Sequence, residues 1–187
     1  MAAIVSQNSK VEMATVRAGV FPLYKPDTTR KGEIISAEGI AHCGSSLSQL
    51  SAEHGGDAVD FNADIIVSGG AGLKTKAVYE QCVGGIAELL AKNTALGVQR
   101  GASRRAVELG LAPRQYQIGQ TGTTVRPLLY IAIGISGAVQ HIVGISGSCV
   151  IISICDDPSA PIVEQSDYYL TGQAQQIAES LIEELEG

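Results

Sequence analysis

The stretch Leu128–Ile154, LLYIAIGISGAVQHIVGISGSCVIISI, decides the fold. It carries no Asp, Glu, Lys or Arg and is long enough for one membrane crossing. Its glycines and the Gln140–His141 pair break it up, and its apolar residues fall into two β-branched runs. LLYIAI (Leu128–Ile133) and CVIISI (Cys149–Ile154) are continuous apolar runs, the pattern of strands covered on both faces of a parallel sheet. GAVQHIVG (Gly137–Gly144) between them reads as a short crossover helix, so the stretch is buried strand, helix, strand and not a membrane span.

The same alternation extends outward. ADIIVSGG (Ala63–Gly70) is an apolar strand ending in glycines, and Val78, Cys82, Ile86, Leu89 and Leu90 space a helix over 75–90, weakened by Gly84 and Gly85. TALGVQR (Thr94–Arg100) reads as a strand, ASRRAVELG (Ala102–Gly110) as a short helix, and QYQIGQTG (Gln115–Gly122) as a strand with a glycine loop. The tail 172–185 is an amphipathic helix with Ile177, Leu181 and Leu185 on one face. The expected fold is a doubly wound α/β domain over 63–187, preceded over 1–62 by a β-rich extension and linker. Within that extension, strands are expected at Lys10–Pro22 and around Glu33–Ala37, and a polar excursion at His42–Asn62.

Composition narrows the function. Thirteen Lys and Arg against nineteen Asp and Glu leave a net charge of -6, the wrong sign for a nucleic-acid surface. Aromatic residues are 4% of the chain and glycines number 22, so a ligand would be met by backbone more than by aromatic walls. Cys43, Cys82, Cys149 and Cys155 are too scattered for a disulfide framework, and His42, Cys43 and His54 lack metal-ligand spacing. The first ten residues hold no targeting signal.

In a doubly wound sheet, ligands bind outside the carboxyl ends of the strands. The predicted strand ends carry SGGAG, GASR, GQTG, GISG and CDDP, five small or polar loops on one edge. Gly69–Gly72 could approach a phosphate or be a plain tight turn. Ser103 and Arg104 open a short helix, where the arginine either faces an electron-rich ligand or is an ordinary surface residue. Gln120, Thr121 and Gly122 offer an amide and a hydroxyl, useful for reading a polar ring edge or simply for turning. Backbone N–H groups near Ser136–Val139 suit a phosphate or carbonyl oxygen. His141 either donates one turn deeper or is a satisfied core histidine. There is no Gly-x-Ser-x-Gly elbow and there are only three histidines, so a cofactor and not a catalytic dyad would do the chemistry.

The motifs GASRRAV, QIGQTGTTVRPLLYIAIGISGAVQH and DDPSAPI, in this order, resemble the FAD-binding domain of the electron-transferring flavoprotein alpha subunit. KVEMATVRAGVFP is similar to the segment that precedes that domain in the family. The resemblance implies a Rossmann-like FAD-binding domain and an electron carrier rather than a substrate-converting enzyme. It also implies a beta subunit as partner, acyl-CoA or other dehydrogenases as donors, and a quinone-linked oxidoreductase as acceptor. The setting it implies is the mitochondrial matrix, with a link to beta-oxidation, or the bacterial cytoplasm.

Residue by residue, it puts Ser103 and Arg104 at the flavin, and Ile118, Gly119, Gln120 and Thr121 in the loop under it with the threonine hydroxyl at N5. Ser136, Gly137, Ala138, Val139, Gln140 and His141 would hold the flavin and its phosphates, with His141 near the ring carbonyl beside N1. Arg104 and His141 would then stabilise negative charge on the reduced flavin. Four positions depart from the family pattern: Ala71 stands for an arginine, Cys155 for an asparagine near the adenosine, and Gln173–Ala174 for Asp-Leu. The expectation is that ring contacts are kept while phosphate and adenosine contacts weaken. The competing reading is a nucleotide-binding module of the same fold without flavin redox chemistry.

Overall fold

The computed structural model describes residues 27–33 and 59–186. Residues 27–33 belong to a compact unit separate from the α/β body. There Asp27 accepts hydrogen bonds from the Thr29 amide at 3.1 Å and the Thr29 hydroxyl at 2.6 Å. The strands expected at Lys10–Pro22 and around Glu33–Ala37, and most of the His42–Asn62 excursion, lie outside the described residues.

The body is a six-stranded, all-parallel sheet in the order β3-β2-β1-β4-β5-β6. The strands are β1 Ile65–Gly69, β2 Val98–Ser103, β3 Gln117–Ile118, β4 Leu129–Ile133, β5 Val150–Cys155 and β6 Tyr168–Thr171. Helices α1 Lys76–Tyr79, α2 Gly85–Asn93, α3 Arg104–Glu108, α4 Val139–Ile145, α5 Pro161–Glu164 and α6 Ala174–Glu186 complete it. None of these helices is long and apolar enough to cross a membrane.

Successive residues of a strand point to opposite faces, and the two apolar cores follow that alternation. Ile65, Val67, Ile131, Ile133 and Ile154 face one core with Tyr79, Val83, Ile86 and Ala178 from α1, α2, α6 and the turn between α1 and α2. Ile66, Tyr130, Ala132 and Ile151 face the other with Ile145 of α4 and Ile162 of α5. Both faces of β1 and β4 are therefore covered, which is why these strands read as unbroken apolar runs.

The expected helix over 75–90 is longer and is not a uniform α-helix. Between α1 and α2 the backbone forms a π segment, Glu80–Gly84. Tyr79, Cys82, Val83 and Ile86 all reach the core, at the i, i+3, i+4 and i+7 spacing of one helical face. Tyr79 also donates its hydroxyl to the Gly101 carbonyl at 2.8 Å, tying this helical segment to β2. The strand expected at Thr94 begins at Val98 and runs on to Ser103, so α3 starts at Arg104 and not at Ala102. Strand β6 and helix α5 are additions to the sequence-based expectation.

Candidate functional site

The parallel sheet reverses direction of growth at β1: β2 and β3 lie on one side, β4 to β6 on the other. Such a switch point opens a crevice between the loops leaving the two central strands. Here the Gly70 amide donates to the Ile133 carbonyl at 2.8 Å and the Gly72 amide to the Gly134 carbonyl at 3.0 Å, closing the crevice floor. Above it lies a cleft of about 490 Å³.

All five strand-end loops reach this cleft. Ala71 and Gly72 follow β1, Ser103 and Arg104 join β2 to α3, Ile118–Thr121 follow β3, Gly134–Ala138 with Gln140 and His141 follow β4, and Cys155–Asp157 follow β5. Val139 is the exception among the residues expected there: its side chain is 71% exposed and does not line the cleft. It sits at the first position of α4, where the helix turns that side chain outward.

The Ser136–Ala138 segment supplies donors. Among the described residues, no protein acceptor takes a hydrogen bond from the amides of Ser136, Gly137 or Ala138. Chain geometry keeps these amides close to the start of α5: Gly137 has φ +82, and a Cβ there would strike the main-chain nitrogen of Ile162. Such a row of amides at the start of a helix suits phosphate or carbonyl oxygens.

Side chains add to this set. The Gln117 amide group donates to Thr121 Oγ1 at 3.0 Å, which leaves the threonine hydroxyl proton to donate elsewhere. Ser103 uses its hydroxyl as the cap of α3, accepting from the Ala106 amide at 3.2 Å. Arg104 pairs with Glu108 at 2.8 Å, and Arg105 reaches the same carboxylate at 3.4 Å. Hydrogen bonding from Arg104 holds the Glu108 carboxyl below its usual range. These pairs are exposed, and they position the guanidinium more than they stabilise the fold.

His141 is buried, and neither ring nitrogen is left for a ligand. Nε2 lies 2.9 Å from the Tyr130 hydroxyl and Nδ1 lies 3.2 Å from the Ile118 carbonyl. Burial pushes its pKa down to about 4, so the ring is neutral at physiological pH. The resemblance places His141 near the ring carbonyl beside N1, stabilising negative charge on the reduced flavin; in this structure both ring nitrogens lie against protein groups. The satisfied core histidine is the reading its contacts support.

At the far end of the cleft, Cys155 donates its thiol to the Asp157 carbonyl at 3.3 Å, and burial raises its pKa. Asp156 accepts from the Ala174 amide at 3.1 Å, fixing the start of α6, and Asp157 accepts from the Ser159 amide at 2.8 Å. The cleft residues missing from the sequence-based set are chiefly Arg105, Glu108, Asp156 and Asp157, and Gln117, outside the lining, holds Thr121. Glu108 was visible in principle as the i+4 partner of Arg104. Gln117 had no such signal.

A doubly wound sheet with a donor-lined crevice at its switch point defines a cofactor-binding α/β domain. Residues 61–146 match the family described as "Electron transfer flavoprotein FAD-binding domain". The chain is 38% identical over 188 aligned positions to the electron transfer flavoprotein subunit alpha of Thermoanaerobacterium thermosaccharolyticum, covering 99% of this chain and 55% of the relative. It is 40% identical over 182 positions to Protein FixB of Azotobacter vinelandii, covering 95% of this chain and 48% of the relative. A mitochondrial relative from Saccharomyces cerevisiae, named a probable alpha subunit, is 44% identical over 124 positions, covering 66% of this chain and 34% of the relative. The chain thus spans about half the length of the first two relatives and about a third of the yeast one.

Proposed function

We propose that this chain binds FAD in the switch-point cleft and serves as the cofactor-holding part of an electron carrier. The observation that carries the reading is the row of uncommitted amides at Ser136–Ala138 facing the same cleft as Thr121 and Arg104. These donors match the oxygen-rich phosphates and ring edge of a flavin dinucleotide. When bound, FAD supplies reversible uptake and release of electrons.

The protein's part is to bind, orient and bias. The amides of Ser136–Ala138 hold anionic oxygens without a cation, which suits a site where Ala71 stands in place of an arginine. Thr121, oriented by Gln117, directs its hydroxyl proton into the cleft. Arg104, steadied by Glu108, is the positive side chain expected at the ring and favours added negative charge there. Following the resemblance of its motifs, we also propose a beta subunit as partner, dehydrogenases as electron donors, a quinone-linked acceptor, and a mitochondrial matrix or bacterial cytoplasmic setting.

The test is reconstitution of the purified chain with FAD followed by desalting. Retained flavin with a shifted visible absorption band supports the reading. A protein that stays colourless and leaves flavin fluorescence unquenched overturns it; binding of AMP or NAD under the same conditions would favour the non-redox nucleotide module.

A further inference from the structure

We propose that Asp156 is a specificity-determining residue of the cleft: its carboxylate accepts from the hydroxyls of an unphosphorylated nucleoside ribose and rejects a ribose that carries a further phosphate. The inference deepens the FAD reading and rests on it for the order ring, phosphates, nucleoside along the cleft.

The strand order lays out a gradient of chemistry along the sheet edge. Thr121 after β3 and Arg104 after β2 are donors for a ring edge, and the Ser136–Ala138 amides after β4 are donors for phosphate oxygens. The loop after β5 is of the opposite kind, presenting the carboxylates of Asp156 and Asp157 to the same cleft. It adjoins the amide row, because the Ile162 amide just beyond it donates to the Ser136 carbonyl at 3.2 Å. A group bonded directly to the phosphates therefore meets acceptors, and in a nucleotide that group is the ribose with its hydroxyl donors.

The two carboxylates are held differently. Asp157 closes its own loop, accepting from the Ser159 amide at 2.8 Å and the Ser159 hydroxyl at 2.6 Å. Asp156 is anchored across the fold: its Oδ1 accepts from the Ala174 amide at 3.1 Å, and its Oδ2 takes no donor among the described residues. Neither forms an ion pair among the described residues. Arg104 follows β2, three strand spacings or about 14 Å along the sheet, farther than charge reaches through physiological salt, about 8 Å. The Asp156 charge thus stands uncompensated. Toward a hydroxyl it makes a charge-assisted hydrogen bond, and toward a phosphate it is a like charge.

The test is isothermal titration of the full, cofactor-free chain with ADP-ribose and with its 2′-phosphate, in the wild type and in Asp156→Asn. Asparagine keeps the oxygen that accepts from Ala174 and removes only the charge, so α6 retains its anchor. The wild type should bind ADP-ribose at least about tenfold more tightly than the 2′-phosphate, and in the variant the ratio should fall to about threefold or less. A role confined to holding α6 would leave that ratio unmoved. Equal affinities in the wild type overturn the proposal even where the variant does not fold, and binding of neither probe at millimolar concentration overturns it too. An unchanged ratio in Asp156→Asn does the same. A wild type that separates the two probes through Asp156 and retains no flavin supports the assignment and sinks the FAD reading instead.

Discussion

The amide of Gln120 donates to the carbonyl oxygen of Gln140 over 2.7 Å, so the loop after β3 is tied to the first turn of α4. The two segments are pressed together further along, where Gly144 packs against Gly119 main chain. This junction sets the width of the cleft on its β3 side, and it has no side chain that could yield.

Gly144→Ala tests the junction. A Cβ at that position would overlap the Gly119 Cα, and backbone on both sides must shift to admit it. The expected loss is about 1–3 kcal/mol, read as a lower urea midpoint with an unchanged slope. A stability equal to wild type would show that α4 is free to move away from the loop.

Gly137→Ala combines two penalties, a positive φ of +82 and overlap with Ile162 main chain. Loss of about 1–3 kcal/mol is expected from the backbone strain alone, with FAD uptake impaired because the amide row is displaced. Stability and FAD uptake both equal to wild type would mean the segment has room that the structure does not show.

His141 makes stability depend on pH in one direction. Its folded pKa of about 4 lies below the ordinary value of 6.5, so the unfolded chain binds the proton more readily. Stability is complete above about pH 6.5 and is lost as pH falls toward 4, by up to about 3 kcal/mol for this group. In His141→Gln the slope between these limits should shrink. Denaturant titrations of both proteins at about pH 7.5 and about pH 5 would decide, and equal slopes would refute the burial argument.

Ser103 separates capping from ligand contact. Ser103→Ala should cost about 1 kcal/mol and Ser103→Gly only a few tenths relative to the wild-type cap, if its main task is closing α3. Thermal melts of the two variants give the comparison. An alanine variant as stable as wild type would remove the cap from the account.

Glu108→Gln should leave stability within about 0.5 kcal/mol, since its ion pairs are exposed. It removes the carboxylate that steadies Arg104, so FAD should bind more weakly. Tighter binding would show that Glu108 competes for Arg104 and does not aim it.

Much of the fold was legible in local pattern. LLYIAI and CVIISI gave β4 and β5 because strands covered on both faces read as nearly continuous apolar runs. The five strand-end loops could be named because glycine and small polar residues mark where such strands stop. Strand β6 was not legible: Tyr168–Thr171 lies exposed at the sheet edge, where neither alternation nor a continuous apolar run is required. The π segment was hidden because Gly84 and Gly85 read as weak helix formers. Their actual setting is different: Gly85 lies against Ile182 of α6, and Gly84 lies near Arg100. Tyr130 looked like any aromatic residue in a strand, since the partner that gives its hydroxyl a purpose is on α4.

The sequence by itself determined a parallel α/β sheet with a ligand edge, because burial on both faces and glycine at strand ends are properties of short segments. Tertiary structure alone decided the order β3-β2-β1-β4-β5-β6 and hence where the crevice opens, since pairing joins segments distant in the chain. It also decided the state of His141, whose ring meets a carbonyl 23 residues away and a hydroxyl 11 residues away. A protonation pattern is set by neighbours in space, and those neighbours exist only once the sheet and α4 have closed around the ring.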